Sequence, residues 1–194
     1  PANANEIPPD AFYNKITLQR IILPDNIVKI NANSFANTSL SGSLIIPNGV
    51  KIIGYCAFNN CDFTGTLILP EGLERIEDYA FSECQYFVGE LLLPQSIEYI
   101  GDAAFSNCGF SGQLILPENL EFIGQSAFYD CGGLRGSLKI PSKIKIIKQS
   151  MFANCSGIDG QLILPDGLDE IESFAFAFCN FKGELFLPKS IKYI

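Results

Sequence analysis

The chain has 194 residues, 47% of them hydrophobic, and a formal net charge of −8; that is ample apolar material for a core and excludes a disordered segment. An acidic balance of this size repels phosphate backbones and anionic headgroups, so nucleic acid and membrane surfaces are poor partners. No apolar run reaches the eighteen or so residues that cross a bilayer, and histidine is absent, which removes the commonest general base and the commonest metal ligand.

From the N-terminus, Pro1 is followed by no basic, then apolar, then small-residue leader, so any export signal is expected outside these residues. Ile7, Ala11 and Phe12 then carry a spacing that recurs along the whole chain. Its clearest marker is proline, at Pro24, Pro47, Pro70, Pro94, Pro117, Pro141, Pro165 and Pro188, every 23 or 24 residues. Five residues before seven of these stands glycine, from Gly42 to Gly183, and Gln19 alone breaks the series. Aliphatics at three and one residues before the proline, as in Leu67 and Leu69, give the period of two that marks a strand. The proline, lacking an N–H, ends it.

Three residues after the proline comes Ile27, Val50 or Leu73 and its equivalents, and three further an isoleucine every time, from Ile30 to Ile194. These predict a second short inward-facing segment. Phenylalanine follows at eleven, from Phe35 to Phe176, with cysteine three residues later in six of the seven coils. Ala, Phe and Cys at those offsets predict a single α or 3₁₀ turn. One such unit cannot bury its own apolar side chains, so the units must stack. The expectation is a right-handed leucine-rich repeat solenoid of short parallel β-strands with single helical turns, about eight coils of 23–24 residues, with the Gly-x-Leu-x-Leu-Pro strands lining one continuous sheet. Residues 1–194 are expected to form one domain with partial repeats at both ends, an excerpt of a longer array. The spare residue of the longer coils falls between Cys and Gly, at 86–88, 132–135 and 156–159, so that turn is expected to be the tolerant, most mobile edge.

The string Gly-x-Leu-x-Leu-Pro-x-x-Leu-x-x-Ile-Gly-x-x-Ala-Phe-x-x-Cys, clearest from Glu90 to Cys108, resembles the BspA-like leucine-rich repeats of bacterial surface proteins. The resemblance spans about Ile7 to Ile194 and implies a secreted or surface-anchored protein in adhesion or host interaction. Local departures are Asn31, Glu77, Lys148 and Glu172 where the pattern has glycine, and Thr38 where it has the first cysteine.

Candidate chemistry is thin. Cys61, Cys84, Cys108, Cys131, Cys155 and Cys179 share one repeat position and form a ladder whose side chains point the same way, which disfavours disulfides and favours buried free thiols. Cys56 lies outside the ladder and is the candidate reactive thiol, set against a merely structural one. Acidic groups at Glu71, Glu74, Glu77 and Asp78 and at Asp166, Asp169, Glu170 and Glu172 lack the regular loop a calcium site needs and read as solvated turn charges. Gly132-Gly133-Leu134-Arg135-Gly136 reads as a loop variant against a phosphate cradle. The acceptor patterns at Asn37 and Asn154 read as turn hydrogen bonding. No cofactor or metal is implied.

The position between the two aliphatics of the strand faces outward, yet it carries Ile22, Ile45, Ile68, Leu92, Ile115, Ile163 and Phe186, broken by Lys139. A contiguous apolar stripe of this kind marks a partner site, or else packs against other parts of the protein. Tyr99, Phe122 and Tyr193 are expected to flank it. The sequence therefore reads as a non-enzymatic binding module, extracellular or at the cell surface, recognising a protein or glycan across several repeats. An intracellular protein–protein scaffold with free thiols is the alternative, and an enzyme built on paired carboxylates is a third.

Overall fold

The computed structural model describes residues 5–194; Pro1 lies outside the described residues. The chain winds as a solenoid of stacked coils. Two-residue strands recur at Glu6–Ile7, Lys29–Ile30, Ile52–Ile53, Arg75–Ile76, Tyr99–Ile100 and Phe122–Ile123, and again at Ile146–Ile147 and Glu170–Ile171. They mark seven successive turns, and the bridge from Glu170 to Tyr193 begins an eighth. All pairings are parallel, and all but that of Leu134–Arg135 with Gly112–Gln113 join equivalent positions, as in Ile30 with Ile53 and Ile76 with Ile100.

The long sheet is therefore built by the second segment, six strands from Glu6–Ile7 to Phe122–Ile123. This corrects the expectation that the Gly-x-Leu-x-Leu-Pro segments would line it. Those segments pair only two at a time, Leu44–Ile45 with Leu67–Ile68 and Leu138–Lys139 with Leu162–Ile163. The physical reason is local. Each Leu segment is confined between a proline that has no N–H and a glycine that in five coils has a positive φ, as at Gly89 (+80°), leaving few groups free to extend a ladder.

The arc carrying Ala, Phe and Cys contains no helix among the described residues, which corrects the second expectation. Its N–H groups alternate between two kinds of acceptor. Asn33, Phe35 and Asn37 donate forward to the carbonyls of Tyr55, Ala57 and Asn59 in the next coil, while Ser34 and Ala36 donate three residues back to Asn31 and Asn33. Positive φ recurs nine and thirteen residues after each proline, as at Asn33 and Asn37, Cys56 and Asn60, and Ser126 and Asp130. A left-handed third residue is what a type II turn requires, and Asn and Asp tolerate it better than most side chains. The arc is thus a run of β-turns stitched to its neighbour, at the same i, i+3 spacing that a helix would have used.

The interior follows directly. Phe12, Phe35, Phe58, Phe81, Phe105, Phe128, Phe152 and Phe176 form one column with successive ring centroids 5.1 to 5.7 Å apart and rings within 13° of parallel. Phe63, Phe87 and Phe110 form a second, at 5.2 and 5.0 Å, whose rings meet the first edge-on. Leu40, Leu134 and Ile158 are buried at the equivalent position. The turn expected to be the loose edge is therefore anchored by a buried apolar side chain in six coils, and the spare residue is absorbed around it.

Two glycines show why the Ile-Gly pair varies without changing the fold. The Asp78 carboxylate accepts the Asp102 N–H of the next coil, and Asp102 accepts that of Gln125, both at 2.8 Å. A Cβ on Gly101 or Gly124 would collide with that carboxylate and with the backbone beside it, and one on Gly54 with the Asn31 and Ala32 backbone alone. At Glu77, Lys148 and Glu172, where the backbone admits a side chain, the preceding coil carries Tyr55, Gln125 and Gln149 at the carboxylate's place. Truncating Phe105 to Ala in the middle of the column is expected to cost roughly 3–5 kcal/mol through the cavity left behind, measured by urea denaturation.

Candidate functional site

The thiol ladder has a structural task. All seven cysteines are free, and each ladder thiol donates to the carbonyl of the phenylalanine one coil earlier: Cys61 to Phe35, Cys84 to Phe58, Cys108 to Phe81, Cys131 to Phe105, Cys155 to Phe128 and Cys179 to Phe152, at 3.0 to 3.2 Å. Thr38 stands in this row and its hydroxyl donates to Phe35 within its own coil. Burial pushes the thiols up, to about 11 at Cys61 and Cys179 and about 12 at Cys131, and well up at Cys84, Cys108 and Cys155. Thiolate is the nucleophile and the metal ligand, so the ladder is chemically quiet. Cys56 is half-buried and is also raised by burial, against a hydrogen bond with Tyr55 that lowers it.

Most of the clustered acids are held by ion pairs or by backbone N–H groups, while Glu71 and Asp166 stand exposed. Glu74 pairs with Lys51 at 3.1 Å, Glu77 with Arg75 at 3.0 Å and Asp169 with Lys192 at 2.8 Å. Burial alone would raise Glu172, but Lys148 and the Gln149 N–H hold its carboxyl below the usual range. Among the described residues no group of His, Cys, Asp or Glu is placed to hold a metal ion. Gly133 lies where a Cβ would collide with the Phe110 carbonyl, so this glycine serves coil packing. Asn37 accepts from Asn60 at 2.9 Å and Asn154 donates to the Tyr129 hydroxyl at 3.1 Å, contacts between neighbouring coils and not within one turn.

The outward row is exposed as expected: Ile22, Ile45, Ile68, Leu92, Ile115, Ile163 and Phe186 all present their side chains to solvent, Leu92 at 67% and Ile115 at 64%. Lys139 interrupts the row, but its ammonium swings to Glu118 (2.6 Å), which holds that carboxyl below its usual range. The swing leaves a shallow depression of about 370 Å³ flanked by Ile115, Pro117 and Ile163.

Tyr99 and Phe122 do not join this row. They stand side by side on the long sheet, ring centroids 4.8 Å apart and nearly parallel, with the Arg75 guanidinium 3.8 Å above the other face of Tyr99. Tyr193 is exposed and bridges to Glu170 on the same ladder. The sequence reading missed Arg75 and Ile146 as members of this ladder, although both stand five residues after a proline. A second depression, about 270 Å³, opens beside Phe122 where the ladder is interrupted before Ile146.

The model of the BspA type leucine rich repeat region matches in six copies over residues 5–135 and 87–194. The chain belongs to this family. Its fold is shared with the leucine rich repeat protein of T. pallidum (26% identity, TM-score 0.62, 90% of this chain and 72% of that one). It is shared also with a leucine-rich repeat protein of Bacteroides ovatus (23%, TM-score 0.50, 100% and 73%). A third is a leucine rich cell surface protein of Faecalibacterium prausnitzii (22%, TM-score 0.56, 100% and 58%). No curated protein matches this chain.

For a BspA-type coil stack, the quiet ladder carries a pH signature. The unfolded chain releases thiol protons near 9, whereas the fold retains them to about 11 at Cys61 and about 12 at Cys131. In that window the unfolded state binds fewer protons, so stability present below pH 9 is lost as pH rises through the folded values. Urea midpoints should fall between about pH 8 and about pH 10.5, and fall less in Cys131→Ala, whose thiol no longer contributes to the proton difference.

Proposed function

We propose that this chain is a non-enzymatic protein-binding module that works at a cell surface, and that its contact face is the row from Ile22 to Phe186. The observation that carries the reading is the exposure of seven large apolar side chains, one per coil except at Lys139, on a face where solvation alone would select polar residues. A face of this kind engages a partner lying along several coils, with breadth in place of a deep pocket. The wider family consists of repeat scaffolds of this sort, and the cell-surface placement is supported by the F. prausnitzii protein of the same fold, described as a cell surface protein.

Between a protein and a glycan, the composition of the row favours the protein. Sugar rings stack on free aromatic faces, whereas six of the seven side chains in the row are aliphatic. The free thiols no longer argue for a reducing compartment, because burial keeps them protonated wherever the chain resides.

Substituting Ile68 and Ile115 by Asp places two charges in the row without touching the core. The double variant is expected to fold with an unchanged denaturation midpoint and to lose binding to the protein partners recovered from bacterial or host cell surfaces by crosslinking. Undiminished capture of those partners by the variant would remove the row from the function.

A further inference from the structure

The face around the row carries charges in an order that identifies a partner. Four residues before the proline lie Arg20 in the first coil, Glu90 in the fourth and Glu184 in the eighth; one residue after it lie Asp25, Glu71, Glu118 and Asp166, in the first, third, fifth and seventh, and Lys189 in the eighth. All are exposed. Of these, only Glu118 enters an ion pair among the described residues. Opposite charges thus stand unpaired at opposite ends of each edge of the row, Arg20 with Glu184 on one edge and Asp25 with Lys189 on the other.

We infer that the row docks against a second copy of this chain, face to face and antiparallel, with the first coil over the eighth, the second over the seventh, and so inward. The inference rests on the row being a protein-binding face and names its partner. A two-fold axis across the rows reverses the coil order and keeps each edge opposite its own equivalent. Arg20 then meets Glu184 and Asp25 meets Lys189, each pair occurring twice. The carboxylates of the odd coils fall opposite even coils, where they meet Asn48, Gln95, Ser142 and Lys189, so no acid confronts an acid.

The row itself is matched in the same register. Leu92 faces Ile115, Ile45 faces Ile163, and Ile68 faces the one polar position, where Lys139 has swung aside to Glu118 and left the depression between Ile115 and Ile163. A foreign strand repeats same-face side chains every ~6.7 Å and drifts against coils spaced ~4.8 Å, whereas a second copy has the same spacing by construction. The parallel alternative also pairs the terminal charges, Arg20 with Asp25 and Glu184 with Lys189, but it sets the depression beside Lys139 against its own copy, where no Ile68 fills it. Five residues of width by eight coils of length give a strip of roughly 600 Å² per copy, at the small end of specific interfaces, so the dimer dissociates on dilution.

Sedimentation equilibrium over about 1 to 500 µM, the range expected for an interface this small, should show the mass rising from one chain towards two. Arg20→Glu and Glu184→Arg should each raise the dissociation constant at least about tenfold, since each disturbs its pair twice. The combined Arg20→Glu/Glu184→Arg chain should return to within about threefold of the original. These exposed positions lie outside the core, so circular dichroism should be unchanged. A chain that stays monomeric throughout, or one rescued by Arg20→Glu/Asp25→Lys in place of Glu184→Arg, overturns the antiparallel pair. Loss of cell-surface partners in the Ile68→Asp/Ile115→Asp chain would meanwhile still stand as evidence for the binding face, so the two failures are separable.

Discussion

Each coil of this protein is half a structure. Its backbone donors at Asn33, Phe35 and Asn37 find acceptors only in the following coil, and its phenylalanine ring is sandwiched only by the rings before and after it. A polar backbone group buried without a partner is costly, and an unstacked Phe column would leave apolar surface in water. The contact between neighbours therefore supplies both the hydrogen bonding and the burial, and the rest of the architecture is a consequence of keeping equivalent positions in line.

That constraint explains which parts could be read from residues alone. The period, the inward row of Ile30, Ile53 and Ile76, the Phe column and the outward aliphatic row are side-chain patterns, and each was legible because it recurs at a fixed offset from proline. The thiol ladder was legible as a row of equivalent, unpaired groups. Its hydrogen bonds to the carbonyls of the preceding coil were not, because they join residues 26 or 27 apart.

The failures lie where backbone bonding decides. Ala, Phe and Cys at helical offsets describe a helical turn and a run of β-turns equally well, and the difference is whether the N–H of Phe35 looks four residues back or across to Ala57. The Leu segments show the strongest alternation and were given the sheet, yet proline and left-handed glycine leave them little ladder. The weaker signal, two residues around each isoleucine, built it. Tyr99 and Phe122 were expected beside the aliphatic row because spacing along a coil does not reveal which ladder an outward residue joins. The aliphatic row needed no such information and was placed correctly.

One feature of the surface has a meaning for how such arrays change length. The interior renews itself with every coil, since ring and isoleucine return each time, whereas the carboxylates after proline return in alternate coils, at Asp25, Glu71, Glu118 and Asp166. Core and exterior thus have different wavelengths. Gaining or losing one coil by recombination would be invisible to packing and would throw the exterior half a cycle out of phase, while exchange of coils in twos would preserve both.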